Sequence, residues 1–305
     1  MASQALVAKL AVIGVGLIGG SFALALKRAG AVREVIGVGR TRANLDEALQ
    51  RDIVDRAVTL DSDWVAELRD ADVVLLATPV AQYGEILRKL APHLRDNAIV
   101  TDAGSTKQDV IRTARETLGD RFQRFVPAHP VAGSEQSGAA AADARLYVDK
   151  VTVLTPTQET AADALRGVEA LWRACGSRVL SIDAAKHDRI LGAISHLPHL
   201  LAFAYVDAVV ARPDANQTLA LAGSGFRDFT RIAGSSSEMW RDIALANRDA
   251  LLAEMEAFRN RFDALEAAVR DRDAAALGTF IARAAQARRR WSGTAGAVPC
   301  SEDEA

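Results

Sequence analysis

Cysteine is nearly absent: the 305-residue chain has two, Cys175 and Cys300, far apart and without metal-ligand spacing. So sparse a complement suits a reducing compartment. An excess of charge of one sign is lacking too. With 37 Lys and Arg against 39 Asp and Glu, the formal net charge is −2, so no bulk electrostatic argument favours nucleic acid or an anionic membrane. Long apolar runs are missing as well. No window reaches 18 apolar residues without charge, which argues against a membrane span. In the N-terminal MASQALVAKLAVIGVGLIGG, Lys9 interrupts the apolar stretch, so a signal peptide is not expected. A cytoplasmic, soluble protein with no nucleic-acid or membrane partner is the expectation, and its length suffices for one large domain or two smaller ones.

What is present is an alternation. Short apolar runs at residues 9–15, 34–38, 73–77, 98–101, near 125 and at 150–154 read as buried strands. Between them, helical spacing covers residues 17–29, 44–51, 82–90, 105–118 and 158–174, with Gly30 and Gly176 closing the first and last. Strands alternating with helices predict βαβ units: an α/β, Rossmann-type, mostly parallel sheet over residues 1–182. Beyond Ile182 only helical periodicity remains. Long helices are expected over 183–210 (bent at Pro198), 238–269 and 273–290. Rich in alanine and leucine, they could hardly bury their apolar faces alone, so residues 183–291 are expected to form an all-helical substrate and dimerisation domain of a homodimer. The polar, acidic stretch 292–305 is expected to be a disordered tail.

Gly14-Val15-Gly16-Leu17-Ile18-Gly19 matches G-x-G-x-x-G directly after a strand and at the start of a helix, the context that a dinucleotide site requires. Gly14 permits the tight turn, Gly16 the approach of a pyrophosphate, and Gly19 close helix–strand packing. The N–H groups at the helix start, at Leu17 and Ile18, face the phosphates, and Thr78 follows the strand across the crevice. An NAD-specific site carries an acid at the end of its second strand, where this chain has Gly39. No carboxylate there repels a 2′-phosphate, and Arg40, Thr41 and Arg42 could bind one. NADP is therefore the expected cofactor, with NAD as the alternative.

Two further loops follow strand ends. In Asp102-Ala103-Gly104-Ser105-Thr106-Lys107, Ser105 with Gln108 fits a capping box. In Ala128-His129-Pro130-Val131-Ala132-Gly133-Ser134-Glu135, His129 sits on no apolar helical face and reads as catalytic. His196 and His199 share one helical face with His187 on the opposite side. No H-E-x-x-H or third ligand accompanies them, so no metal site is expected. Arg231, beside Asp228, is either a surface ion pair or a bidentate carboxylate binder.

The segments VIGVGLIGGS, DAGSTK, AHPVAGSE, KHDRILGAISHLPH and GFRDFTRIA, in this order, resemble the prephenate/arogenate dehydrogenases of tyrosine biosynthesis over residues 9–290. The resemblance implies oxidative decarboxylation of prephenate or arogenate with hydride transfer to the nicotinamide, giving 4-hydroxyphenylpyruvate or tyrosine. It also implies that His129 accepts the ring hydroxyl proton, that Ser105 orients His129, and that Arg231 binds a substrate carboxylate. His199, Ser134, Glu135, Met239 and Trp240 align with pocket positions, and Arg227 stands where lysine is usual. Fifteen residues past the last helix cannot fold into an added mutase or regulatory domain, so any tyrosine feedback is expected at the active site. The competing readings are a β-hydroxyacid dehydrogenase or imine reductase, and a non-catalytic dinucleotide sensor. Neither accounts for His129 together with the HLPH and RDFTRIA segments.

Overall fold

The structure, a computed structural model, describes residues 5–134 and 136–291. Its first part runs β1 Val7–Ile13, α1 Leu17–Arg28, β2 Val32–Gly39, α2 Arg42–Gln50, β3 Arg56–Thr59, α3 Trp64–Glu67, β4 Val73–Leu76, α4 Tyr83–Leu90, β5 Ile99–Asp102, α5 Gln108–Leu118 and β6 Phe125–Val126. These strands make one parallel sheet in the order β3-β2-β1-β4-β5-β6. Apolar layers cover both faces, one containing Phe22, Leu26 and Trp172, the other Ile36, Tyr83 and Phe125. This is why a strand such as β4, VVLL, is buried throughout rather than alternating. Strand order reverses between β1 and β4, and open α/β sheets bind ligands in the crevice beyond that point.

Two features depart from the sequence expectation. Strand β3, RAVT, is four residues long and partly polar, too short for an apolar run to reveal it. The apolar run at 150–154 does not extend the first sheet. It is β8 Val151–Leu154, the centre of a second sheet with β7 Ala128–Pro130 antiparallel on one side and β9 Arg178–Ser181 parallel on the other. Pro127, between β6 and β7, has no N–H to extend a ladder, and its carbonyl accepts from Thr155 N–H at 3.0 Å. His129 is therefore not on an open loop: it is a strand residue paired with Val153. Helix α6, Ala162–Ala174, connects β8 to β9 and closes at Gly176 with φ of 86°.

The helical region begins with α7 Ala184–Leu191, a π-helical turn Gly192–His196 and α8 Leu197–Val210. Pro198 lacks an N–H for the preceding turn and its ring crowds the carbonyl four residues back, so the distortion falls on the segment ahead of it. Then come α9 Ala215–Ala220, α10 Ser224–Thr230 and α11 Ser237–Ala246. The glycine-rich, charged segment 223–232 is thus largely helical. The run expected over 238–269 breaks at Asn247. Among the described residues, packing joins those up to Arg248 into one compact unit, and those from Asp249 on form a second. The second unit holds α12 Arg248–Arg270 beyond its first residue, and α13 Ala274–Arg290, the latter capped by the Asp273 carboxylate, which accepts from Ala276 N–H at 2.9 Å. The expected disordered tail, 292–305, lies outside the described residues.

By length and composition Ala184–Val210 could cross a membrane: an 18-residue window has mean hydropathy 1.4 and is only 17% buried. The charge-free criterion applied to the sequence passes over it. One side packs inward through His187, Leu191, His196 and Ala202, while Ile190, Ile194, Tyr205 and Val210 lie exposed.

Asp102, at the end of β5, ties the two sheets together. Its carboxylate accepts from Ala128 N–H at 3.0 Å, from Gly104 N–H at 2.8 Å and from the Lys107 ammonium, which also donates to Ala128 O at 2.8 Å. Both side chains are wholly buried. Replacing Lys107 with Met leaves the carboxylate uncompensated and is expected to cost about 3–5 kcal/mol of stability, whereas the Asp102→Asn, Lys107→Met double variant should recover part of it. Urea unfolding of the three proteins measures this; a single variant as stable as the parent contradicts it.

Candidate active site

The crevice beyond β1 and β4 is shaped for a dinucleotide. Gly14 has φ of 103°, and a Cβ there would sit 2.5 Å from the Ala77 carbonyl oxygen. A Cβ on Gly19 would collide with Gly14 O, so α1 packs against the turn at backbone distance. By contrast nothing lies within 4 Å of where a Gly16 Cβ would be, which is room for a pyrophosphate. No side chain caps α1, leaving the N–H groups of its first turn, at Leu17 and Ile18, for phosphate oxygens. The Thr78 hydroxyl, two residues past β4, is buried without a hydrogen-bond partner. Open space, bare helix donors and an orphaned hydroxyl fit the group that the glycine pattern implies.

At the end of β2, Gly39 packs closely on Leu45: a Cβ there would lie 3.1 Å from Leu45 Cδ2. Thr41 is the first residue before α2 and makes no side-chain cap. Arg40 faces Glu238 at 3.7 Å, and Arg42 pairs with Asp46 at 2.8 Å, one turn along α2.

Histidines converge beside this crevice. His129 Nδ1 lies 2.8 Å from His187 Nε2, and the rings meet edge-on with centroids 5.1 Å apart. His187 Nδ1 is 2.8 Å from Asp188 Oδ1. That carboxylate also accepts from Lys107 N–H and Gln108 N–H, each at 2.9 Å. The start of α5 is thus capped by Asp188 of α7, not by the predicted Ser105. Helix α5 begins three residues after Ser105, whose hydroxyl makes no hydrogen bond among the described residues. Asn247 closes the group: its amide donates to Asp188 O at 2.8 Å and lies 2.9 Å from His196 Nδ1.

Burial sets the charge state. It drives His129 well below the ordinary histidine value, reinforced by neighbouring His187, Lys107 and His196. His187 is lowered by burial although Asp188 opposes the shift, and burial pushes His196 down to about 4. Burial alone would raise Asp188, but His187 and the two backbone donors outweigh it and hold the carboxylate below its usual range. His129 is therefore a neutral acceptor, in a site that holds its anion one residue further back.

The other residues singled out from the sequence are distributed unevenly. His199 stacks on Trp240 with ring centroids 3.6 Å apart, and its Nδ1 donates to Ser195 O at 2.8 Å. Burial lowers its pKa, with a smaller contribution from nearby Arg231, so these three residues share one corner. Trp240 is buried with its indole N–H unpartnered, and Met239 beside it is exposed. Ser134 is exposed and accepts from Gln136 N–H at 3.3 Å. Glu135 lies outside the described residues. Among those residues no group of three or more histidines, cysteines or acids is arranged to hold a metal.

Sequence reasoning missed His187, Asp188 and Asn247. On a straight α-helix, His187 and His196 fall on opposite faces. The π turn inserts roughly 100° of phase between them, so both are buried. The adjacent His-Asp pair in KHDR was the available signal, since an acid beside an imidazole fixes its tautomer.

The lowered histidines make stability depend on pH. In the unfolded chain each titrates near 6.5, so unfolding takes up protons as pH falls below that value. Stability is complete above about pH 6.5 and should decline below it, by up to about 1.4 kcal/mol per pH unit for each buried histidine. Thermal melts between about pH 7.5 and 5 should show a falling Tm; an invariant Tm contradicts the assignment.

Known proteins share this arrangement. A family model described as "Prephenate dehydrogenase, nucleotide-binding domain" matches residues 22–181, and one described as "Prephenate dehydrogenase, dimerization domain" matches residues 183–283. The chain is 33% identical to the prephenate dehydrogenase of Lactococcus lactis, over 95% of this chain and 79% of that protein. It is 34% identical to the cyclohexadienyl dehydrogenase of Zymomonas mobilis, over 87% and 89%. Among solved structures, prephenate dehydrogenase from Aquifex aeolicus, in complex with hydroxyphenyl propionate and NAD+, matches with TM-score 0.86 and 33% identity, covering 93% of this chain and 98% of that one. Synechocystis arogenate dehydrogenase matches with TM-score 0.76 and 31% identity, covering 92% and 99%. With both family models end to end along one Rossmann-type sheet and one helical region, the chain belongs to the prephenate dehydrogenase family.

Proposed function

We propose that this protein catalyses the oxidative decarboxylation of prephenate, arogenate or both, giving 4-hydroxyphenylpyruvate or tyrosine. The observation that carries the reading is His129: a buried, neutral imidazole beside the dinucleotide crevice, with one nitrogen committed to His187 and the other left to accept a proton. When bound, the nicotinamide supplies the hydride acceptor. His129 takes the hydrogen bond of the ring hydroxyl as its carbonyl character develops. Arg231, in the corner with His199 and Trp240, binds a substrate carboxylate through charge-assisted bonds. Ser105, on the loop before α5, orients His129 once the reactants are in place, and Ser134, Glu135 and Met239 complete the pocket.

NADP is the preferred cofactor in this reading, although the similar A. aeolicus enzyme was solved with NAD+. Gly39 presents no carboxylate to a 2′-phosphate, and Arg40 is the better placed cation because its contact with Glu238, at 3.7 Å, is looser than the 2.8 Å pair between Arg42 and Asp46. The protein acts as a homodimer. The exposed apolar face of the Ala184–Val210 run, inside the region matched by a dimerization-domain model, is the surface that a second copy covers. Residues 1–182 form the cofactor domain and 183–291 the substrate and dimerisation domain, and the protein works in the cytoplasm.

Reduced-nicotinamide absorbance with the four substrate–cofactor pairs tests the reaction, and absence of turnover with all four rejects it. His129→Asn should lower kcat by about 10²–10⁴. Arg231→Ala should act mainly by raising KM. Because only neutral His129 accepts, the acid limb of kcat/KM should lie below pH 6.5; a limb above that value contradicts the role. Arg40→Ala should reduce kcat/KM with NADP by about tenfold and leave NAD nearly unchanged, the size of one charge-assisted contact. Equal loss with both cofactors removes Arg40 from 2′-phosphate recognition.

A further inference from the structure

A second imidazole and a carboxylate stand in line behind His129, and their hydrogen-bond directions are fixed by chemistry. Ionised Asp188 only accepts, so the 2.8 Å contact with His187 requires His187 Nδ1 to carry the proton. In a neutral ring Nε2 is then a lone pair, and the 2.8 Å contact with His129 requires His129 Nδ1 to donate. The same step leaves His129 Nε2 as the open acceptor. Asp188 cannot turn away, because Lys107 N–H and Gln108 N–H hold its two oxygens against the start of α5. Asn247 anchors the backbone carbonyl of the same residue.

We propose that His129, His187 and Asp188 form a closed relay that holds the substrate's hydroxyl proton during oxidation and returns it to the product oxygen. This extends the function proposed above and rests on it for the identity of the proton. In the forward step the substrate O–H bond breaks and an Nε2–H bond forms on His129. The His129 Nδ1–H proton passes to His187 Nε2, so the cation resides on His187 against the Asp188 carboxylate. The hydride leaves to the cofactor and the ring carboxylate departs as carbon dioxide, its bonding pair entering the ring. The phenolate oxygen then draws the proton back through the same two bonds. No net proton enters or leaves, which matches a site with no charge to spare. His129 touches substrate, whereas His187 and Asp188 act through it as positioning residues.

The charged and titratable groups around the relay are few. Lys107 and His196 face His129, and Lys107, Asp102 and Asp188 face His187. Near neutral pH His196 is uncharged, so Lys107 is the cation that disfavours a proton on either ring, and the two carboxylates offset it only at His187, which makes His187 the better holder.

Nitrogen NMR of the free protein with ¹⁵N-labelled histidine reads the tautomers without any substrate. Near pH 7.5, His129 and His187 should both show the Nδ1–H form, with signals assigned from single variants. An Nε2–H form on His129 overturns the relay. His187→Gln and His187→Leu then separate holding a proton from orienting a ring. Gln can accept from His129 Nδ1–H, and so keep its tautomer and the substrate KM, yet cannot be protonated. Single-turnover hydride transfer should fall at least about tenfold in His187→Gln, within the range of acid–base contributions, and further in His187→Leu. A His187→Gln rate equal to the parent overturns the proton-holding role. Failure of the parent to turn over any substrate–cofactor pair would reject the reaction while the tautomers still decide the relay.

Discussion

The carboxylate of Asp188 is buried among three converging donors, the His187 ring and the N–H groups of Lys107 and Gln108. An anion in such a place is tolerated only when its lone pairs are satisfied. Satisfying them requires that α7 lie against the start of α5, so the helical region and the Rossmann sheet are held together by a capping interaction between distant segments. The same anion then fixes the His187 tautomer and, through it, the acceptor nitrogen of His129. In the proposed relay, chain packing and reactivity thus depend on one group.

Around this centre the sheet contributes position more than chemistry. Parallel strands buried on both faces bring Gly14 and Thr78 to the reversal point of the strand order, where a ligand can reach the bare end of α1. Asp102 and Lys107, a buried pair at the end of β5, carry the chain from the first sheet into the second and place β7, with His129, alongside. The tension is electrostatic: Lys107 stabilises Asp102 and at the same time disfavours a proton on His129.

The parallel sheet, the glycine turn and the passage from sheet to helices were legible because period, glycine spacing and motif order carry them directly. The motif segments also singled out His129, Ser105 and Arg231 as candidates. Where the sequence misled, the cause was a local exception to a regular period. His187 lay on the wrong helical face until the π turn was known, and Ser105 looked like a cap because the capping box is a local rule and Asp188 is eighty residues away. His129 looked like a loop residue because a three-residue strand has too little length to show alternation.

The π turn at Gly192–His196 also constrains how this stretch can be inherited. It behaves as a one-residue insertion in an otherwise continuous helix, keeping His187 upstream and His196 and His199 downstream in a common orientation. Deleting any single residue between them would restore a regular, easily formed helix and yet rotate the downstream histidines by roughly 100°. Substitutions along this stretch can be explored one at a time, whereas a change in its length cannot. Descendants of such a gene are therefore free to vary in composition here, but are bound to its count of residues.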